Sequence, residues 1–291
     1  MIMEHESMSQ SYCIVTPSYH KDFEVCRLLV DSIEKHVPPE IPHYLVIPRR
    51  DKELFETIKK DRTVFLYQED FLPRWLKAVP FSNGKWWFSF KGLPVRGWIR
   101  QQLIKIGSAL KLNEDFLIIM DSDSFFVKDF KLKDLIKNGK APLYVEPIKT
   151  LPPMFKAWNE VSAKILGIPL QPDKNAIYVS ICVIWSTKDV KKMLGHIENT
   201  HKRPWQETIC RHFQFSEYTV LGLYRHLILK DSEANQYLDP TVLTLNHWDD
   251  SPLNKEELRK FKKGMKPYHI GAMLSAKSGT DISLIREVFE I

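Results

Sequence analysis

Asp115-Phe116-Leu117-Ile118-Ile119-Met120-Asp121-Ser122-Asp123-Ser124 is a short apolar run that ends directly in two acids separated by one residue. The run is too short for a helix and rich in aromatic and β-branched side chains, which reads as a buried central strand. In open α/β sheets, ligands bind outside the carboxyl ends of the strands, so Asp121 and Asp123 stand where a phosphate-bearing ligand would lie. Two carboxylates at this spacing can turn toward one hard divalent cation that also bridges diphosphate oxygens.

Working outward, Gly97 to Leu112 sets Ile99, Leu103, Ile106, Ala109 and Leu110 on one helical face and leaves Arg100, Gln101 and Lys105 on others. Upstream, Tyr12 to Pro17 reads as a strand, Ser18 to Asp22 as a polar turn, and Val25, Leu28, Leu29, Ile33 and Val37 as the apolar spacing of a helix. His43 to Pro48 and Thr63 to Tyr67 are further strands at spacings that suit crossovers between parallel neighbours. Downstream, Leu143 to Glu146 and Ile177 to Ser186 read as strands, Lys188 to Glu198 and Ser216 to Leu229 as helices, and Thr241 to Asn246 and Tyr268 to Ile270 as short elements. The alternation predicts an α/β fold, a mixed sheet with flanking helices in a single compact domain over residues 1–291.

Composition narrows the partners. With 42 Lys+Arg against 36 Asp+Glu, the net charge of +6 favours small anionic ligands and falls short of a nucleic-acid footprint. Cys13, Cys26, Cys182 and Cys210 lie far apart in apolar segments, which argues against a zinc site or a disulfide framework. No stretch reaches the roughly 20 apolar residues of a membrane span. Met1 to Gln10, with Glu4 and Glu6, is unlike a signal peptide. The expectation is a cytoplasmic protein, with peripheral membrane association left open.

A D-x-D triplet alone is a weak signal, common in solvated turns. Its place after a buried strand and before Phe125-Phe126-Val127 strengthens it, because no lysine relieves the charge before Lys128. The aromatic residues Trp75, Trp86, Trp87, Phe88, Phe90 and Trp98 could stack sugar faces, although core packing is the commoner use of such side chains.

The chain resembles a GT-A glycosyltransferase, and within that fold the DUF6492-like bacterial proteins. Val15-Thr16-Pro17-Ser18-Tyr19, Gly97-Trp98-Ile99-Arg100-Gln101-Gln102-Leu103-Ile104-Lys105 and Ile119-Met120-Asp121-Ser122-Asp123-Ser124-Phe125-Phe126 carry the likeness. It implies a Rossmann-like sheet with a nucleotide-binding half at about 11–130 and an acceptor-binding half at about 131–291. It also implies that Thr16, Pro17, Ser18 and Tyr19 line the nucleotide pocket, with Asp121 and Ser122 at the donor. Arg100 and Gln101 would face the sugar nucleotide, and Lys105, one turn on, would add charge there. A Mn2+ or Mg2+ ion would sit on Asp121 and Asp123. A late histidine completes such sites in GT-A enzymes: His269 is preferred for its neighbours Lys266 and Gly271, with His247 in reserve. Glu217, after the helix-capping candidate Ser216, is placed to act as general base for inverting transfer, although acids in first turns commonly only complement the helix dipole.

The activity implied is metal-dependent transfer of a sugar from a nucleotide-diphosphate sugar to the hydroxyl of a glycan or other acceptor, in polysaccharide or surface-glycan assembly. Two alternatives stay open: a nucleotidyltransferase or metal-dependent phosphohydrolase, and a non-catalytic nucleotide- or glycan-binding module.

Overall fold

A computed structural model describes residues 10–79, 86–91 and 94–291. Residues 1–9, read above as unlike a signal peptide, lie outside the described residues. The elements that position the site are, in chain order, β1 (Tyr12–Pro17), α1 (Phe23–His36), β2 (His43–Ile47), β3 (Thr63–Tyr67), α2 (Gly97–Lys111), β4 (Phe116–Ile119), β5 (Ser124–Phe126), α3 (Pro153–Leu166), β6 (Val183–Ser186), α4 (Thr187–His201), α5 (Glu217–Leu227), β7 (Thr244–His247) and β8 (Gly271–Leu274).

The principal sheet has the order β6-β4-β1-β2-β3. Its four strands from β4 to β3 are parallel, and β6 closes the edge in the antiparallel sense. This is the mixed α/β single domain that the alternation predicts. The chain steps outward from β1 to β2 and β3, then returns to place β4 on the other side of β1. The carboxyl ends of β1 and β4 therefore flank the point where the strand order reverses, which is where a crevice opens in such sheets. β4 is buried at every position, as expected for a parallel strand covered on both faces.

A second sheet continues from β4. After the Asp121–Asp123 turn, β5 pairs antiparallel with β8, and β8 pairs parallel with β7. Gly271 is required there, since a Cβ would stand 2.8 Å from the carbonyl oxygen of Phe125. The apolar core includes Val15, Leu103, Ile119 and Trp185 on one side of the sheet and Ile14, Ile33, Ile118 and Phe126 on the other.

Two expectations need correction. Ile177 to Ser186 is not one strand: Ala176–Ile177 and β6 are separated by a segment in which Cys182 has φ 58°, which breaks the extended backbone. On α2, Leu110 is 44% exposed whereas Lys105 is buried. The apolar spacing placed the helix but not the side on which a charged residue finds partners.

Candidate functional site

A cleft of about 420 Å³ lies over the carboxyl ends of β1 and β4. Several pieces of chain build it. The loop after β1 supplies Pro17, Tyr19 and Asp22, and the turn after β4 supplies Asp121, Ser122 and Asp123. One face of α2 gives Trp98, Gln101, Gln102 and Lys105, residues three or four apart as a helical face requires. The start of α5 gives Ser216, Glu217 and Tyr218, and the ends of β7 and β8 give Trp248 and Ser275 to Lys277.

At its base is a buried polar network. Lys105 Nζ lies 2.6 Å from Asp121 Oδ1 and 3.1 Å from Glu217 Oε1, and donates to the Tyr218 hydroxyl at 2.9 Å. Burial alone would lower the proton affinity of Lys105, but Asp121, Tyr218 and Glu217 hold it well above the usual lysine value. Burial raises the Glu217 carboxyl above the ordinary range, an effect the Lys105 charge opposes. Ser216 caps α5 by accepting from the Thr219 N–H, and the Glu217 N–H donates to Gln102 Oε1 at 2.9 Å. Capping and a cross-helix bond thus fix where Glu217 begins its helix.

Asp123 sits beside this network. Its Oδ2 accepts from the Ala276 N–H at 3.2 Å, and Asp22 joins it through the Ser122 hydroxyl, 3.3 Å from Asp22 Oδ2. Burial, with the charge of Asp121 next, pushes the Asp123 carboxyl up to about 6. Burial also raises Asp22, further lifted by the charge of Asp121. Four carboxylates, Asp22, Asp121, Asp123 and Glu217, therefore share the cleft with two ammoniums, Lys105 and Lys277. Such a cluster of negative charge, one member of it buried, is relieved by a bound cation.

The donor chemistry fits a hard divalent cation: Asp121 and Asp123 supply carboxylate oxygens on one turn, and the raised Asp123 carboxyl marks a place where positive charge is favoured. Among the described residues, no group of three or more His, Cys, Asp or Glu side chains could hold a metal ion. A cation here would be held by carboxylates in small number, with its remaining positions open to ligand oxygens and water, which is how Mg2+ is commonly bound.

A family model, described as a family of unknown function, matches residues 10–271. The chain belongs to the DUF6492 family. No curated protein matches it.

In this DUF6492 member the residues proposed from sequence divide into two groups. Pro17, Tyr19, Gln101, Lys105, Asp121, Ser122, Asp123 and Glu217 meet in the cleft. Thr16 does not: it is buried beneath, with its hydroxyl 3.0 Å from His43 Nε2. Ser18 is buried too, and its carbonyl accepts from Gln68 Nε2 at 2.8 Å. Arg100 is absent from the cleft lining and donates to Gln68 Oε1 at 2.7 Å, while its charge still acts on Tyr19 of the β1 loop.

Lys105, expected to add charge beside Gln101, lines the cleft and is ion-paired with Asp121 and Glu217. His269 is displaced from the acid turn. β8 runs from Gly271 opposite Phe126 to Leu274, whose N–H donates to the Asp123 carbonyl. Five residues of extended chain from His269 to Leu274 span on the order of 15 Å. His269 Nδ1 instead accepts from the Lys266 N–H. His247 ends β7 near the level of the cleft, but its Nε2 lies 3.0 Å from the Ser251 carbonyl.

Four participants went unread or under-read in the sequence. Asp22 was absorbed into a polar turn, and no local pattern distinguishes it. Gln102 and Trp98 share the Lys105 face of α2, and spacing from Lys105 would have found them. Trp248 comes from a loop whose position depends on β7 docking beside β8.

Proposed function

We propose that this protein is a metal-dependent glycosyltransferase of GT-A type that takes a nucleotide-diphosphate sugar as donor. The observation that carries the reading is Asp121 and Asp123 at the end of a parallel strand, at the reversal of strand order, in one cleft with Glu217 on an opposing helix. Asp121 and Asp123, with Asp22 beside them, would hold a Mn2+ or Mg2+ ion, which would supply charge neutralisation for a departing diphosphate. Pro17 and Tyr19 border the nucleotide.

Glu217 serves as base on the acceptor side. It takes the acceptor hydroxyl proton as that oxygen bonds to the anomeric carbon, and the bond to the diphosphate breaks with its electron pair leaving on the nucleotide. A carboxyl raised by burial lies nearer the working pH, which suits a base. Lys105, paired with both, fixes Glu217 and Asp121 relative to one another. Displacement from the face opposite the leaving group gives inversion. A glycan or other hydroxyl compound is the acceptor, and polysaccharide or surface-glycan assembly in the cytoplasm is the proposed setting.

The test is a thermal-shift panel of nucleoside diphosphates and nucleotide sugars with and without Mn2+. A metal-dependent rise for one nucleotide, lost in both Asp121→Asn and Asp123→Asn, is the expected result. Glu217→Gln is expected to lower turnover far more than donor affinity. Unchanged turnover in both aspartate variants overturns the assignment. Cleavage of the diphosphate bond without any sugar transfer moves the reading to a phosphohydrolase.

A further inference from the structure

The same cleft carries an aromatic and amide chemistry of its own. Trp98 is 44% exposed and Trp248 is 60% exposed, and both line the cleft from different elements. Trp98 is held in place: its ring meets Trp158 edge-on at 5.4 Å, and Trp158 is buried on α3 and braced by Phe155 at 5.5 Å. An indole kept rigid with an open face is a ready platform for an apolar surface.

Gln102 is the second observation. It is 2% exposed and lines the cleft, and its Nε2 has no hydrogen-bond partner. The orientation of the amide is not free. The Glu217 N–H is a donor and must meet the amide oxygen, which leaves Nε2 and its N–H groups unpaired. A buried amide donor without an acceptor is costly, and a ligand oxygen removes that cost. Gln102 is tied to the Glu217 backbone through its amide oxygen, and both residues line the cleft.

We infer that the acceptor is itself a carbohydrate, with a pyranose ring lying across the Trp98 face and a sugar oxygen accepting from Gln102 Nε2. The inference rests on the transferase reading and deepens it. A pyranose offers an apolar C–H face for the indole and a rim of hydroxyls for the amide, so one ring satisfies both features. A flat nucleobase would also stack on an indole, but the transferase reading assigns it to Tyr19. Gln102 and Trp98 are then specificity determinants for the acceptor.

The experiment uses the full chain in chelator, without nucleotide, so that it does not depend on donor chemistry. Methyl glycosides of glucose, galactose, mannose and N-acetylglucosamine in both anomers, with cellotriose and maltotriose, are titrated by saturation-transfer NMR and tryptophan fluorescence. Uridine, adenosine and guanosine serve as the nucleobase arm. At least one saccharide is expected to bind saturably. Trp98→Ala and Gln102→Glu should each weaken it by about fivefold or more, since one removes the stacked face and the other the amide donor. Gln102→Glu keeps an oxygen for the Glu217 N–H, so it tests the donor without removing the support of α5. Binding of nucleosides but no saccharide overturns the inference, as does saccharide binding indifferent to both variants. Saccharide binding in a protein that ignores every nucleotide would retain the platform and sink the transferase.

Discussion

Asp123 binds its proton more tightly in the folded chain than an ordinary aspartate does, at about 6 against 3.8. The sign of the linkage follows: folding without metal is favoured while the group is protonated, and that contribution is lost as pH rises through about 6. Its size is on the order of 1–3 kcal/mol. In chelator, the melting temperature should therefore rise on going from pH 7.5 to 5 as far as Asp123 governs it. Asp123→Asn should flatten this slope and melt higher at pH 7.5; parallel wild-type and variant curves across pH 5 to 8 would contradict the assignment. Cation affinity runs the other way and falls below pH 6, because a metal competes with the proton. Lys105 presents the converse case. Lys105→Met leaves Asp121 and Glu217 without their shared counter-charge, a loss of about 3–5 kcal/mol for a buried pair. A urea midpoint lowered at pH 8 and partly restored at pH 5, where the carboxyls take protons, is the expected signature.

At the scale of elements, α5 places Glu217, and its position depends on close approach to Tyr178. A Cβ on Gly222 would stand 2.2 Å from the Tyr178 ring. Tyr178 is buried and its hydroxyl lies 2.8 Å from His226 Nδ1, so it has little room to retreat. Gly222→Ala should cost about 1–3 kcal/mol through overpacking and lower the melting temperature by several degrees. Glu217, five residues upstream, moves with the helix, so turnover should fall as well. Calorimetry with the donor assay checks both; an unchanged melting temperature would show that α5 is free to shift. The helix was legible from the sequence because Ser216 is a good cap and the apolar spacing follows it. That its first residue would be buried against Lys105 was not, since a first-turn glutamate is ordinarily a solvated partner of the helix dipole.

At the scale of the molecule, the two expected halves are interleaved. β6 comes from beyond residue 131 yet completes the sheet of β1 to β4, and β8 pairs with β5. The cleft draws Asp121 and Trp98 from the first half and Glu217 and Trp248 from the second. Unfolding in guanidinium should accordingly be one transition, with tryptophan fluorescence and circular dichroism coincident. A fragment of residues 1–130 should not fold, because the β4 edge would be unpaired. Two separated transitions would show that the halves are independent after all. Among the described residues no helix is long and apolar enough to cross a membrane.

The α/β class, the burial of β4 and the position of Asp121 and Asp123 at its carboxyl end were determined by the sequence alone, because hydrophobic period and strand length are local properties. The partners of those acids were decided only by tertiary structure. Lys105, Glu217, Asp22, Gln102 and Trp248 lie up to 127 residues from Asp121 in the chain. They meet because β4 returns beside β1 and the β7–β8 pair docks on β5. Histidine 269 shows the limit of reading residues singly: its neighbours suit a phosphate, but strand register carries it to the far end of β8. Register depends on which strand is opposite, and composition does not record that.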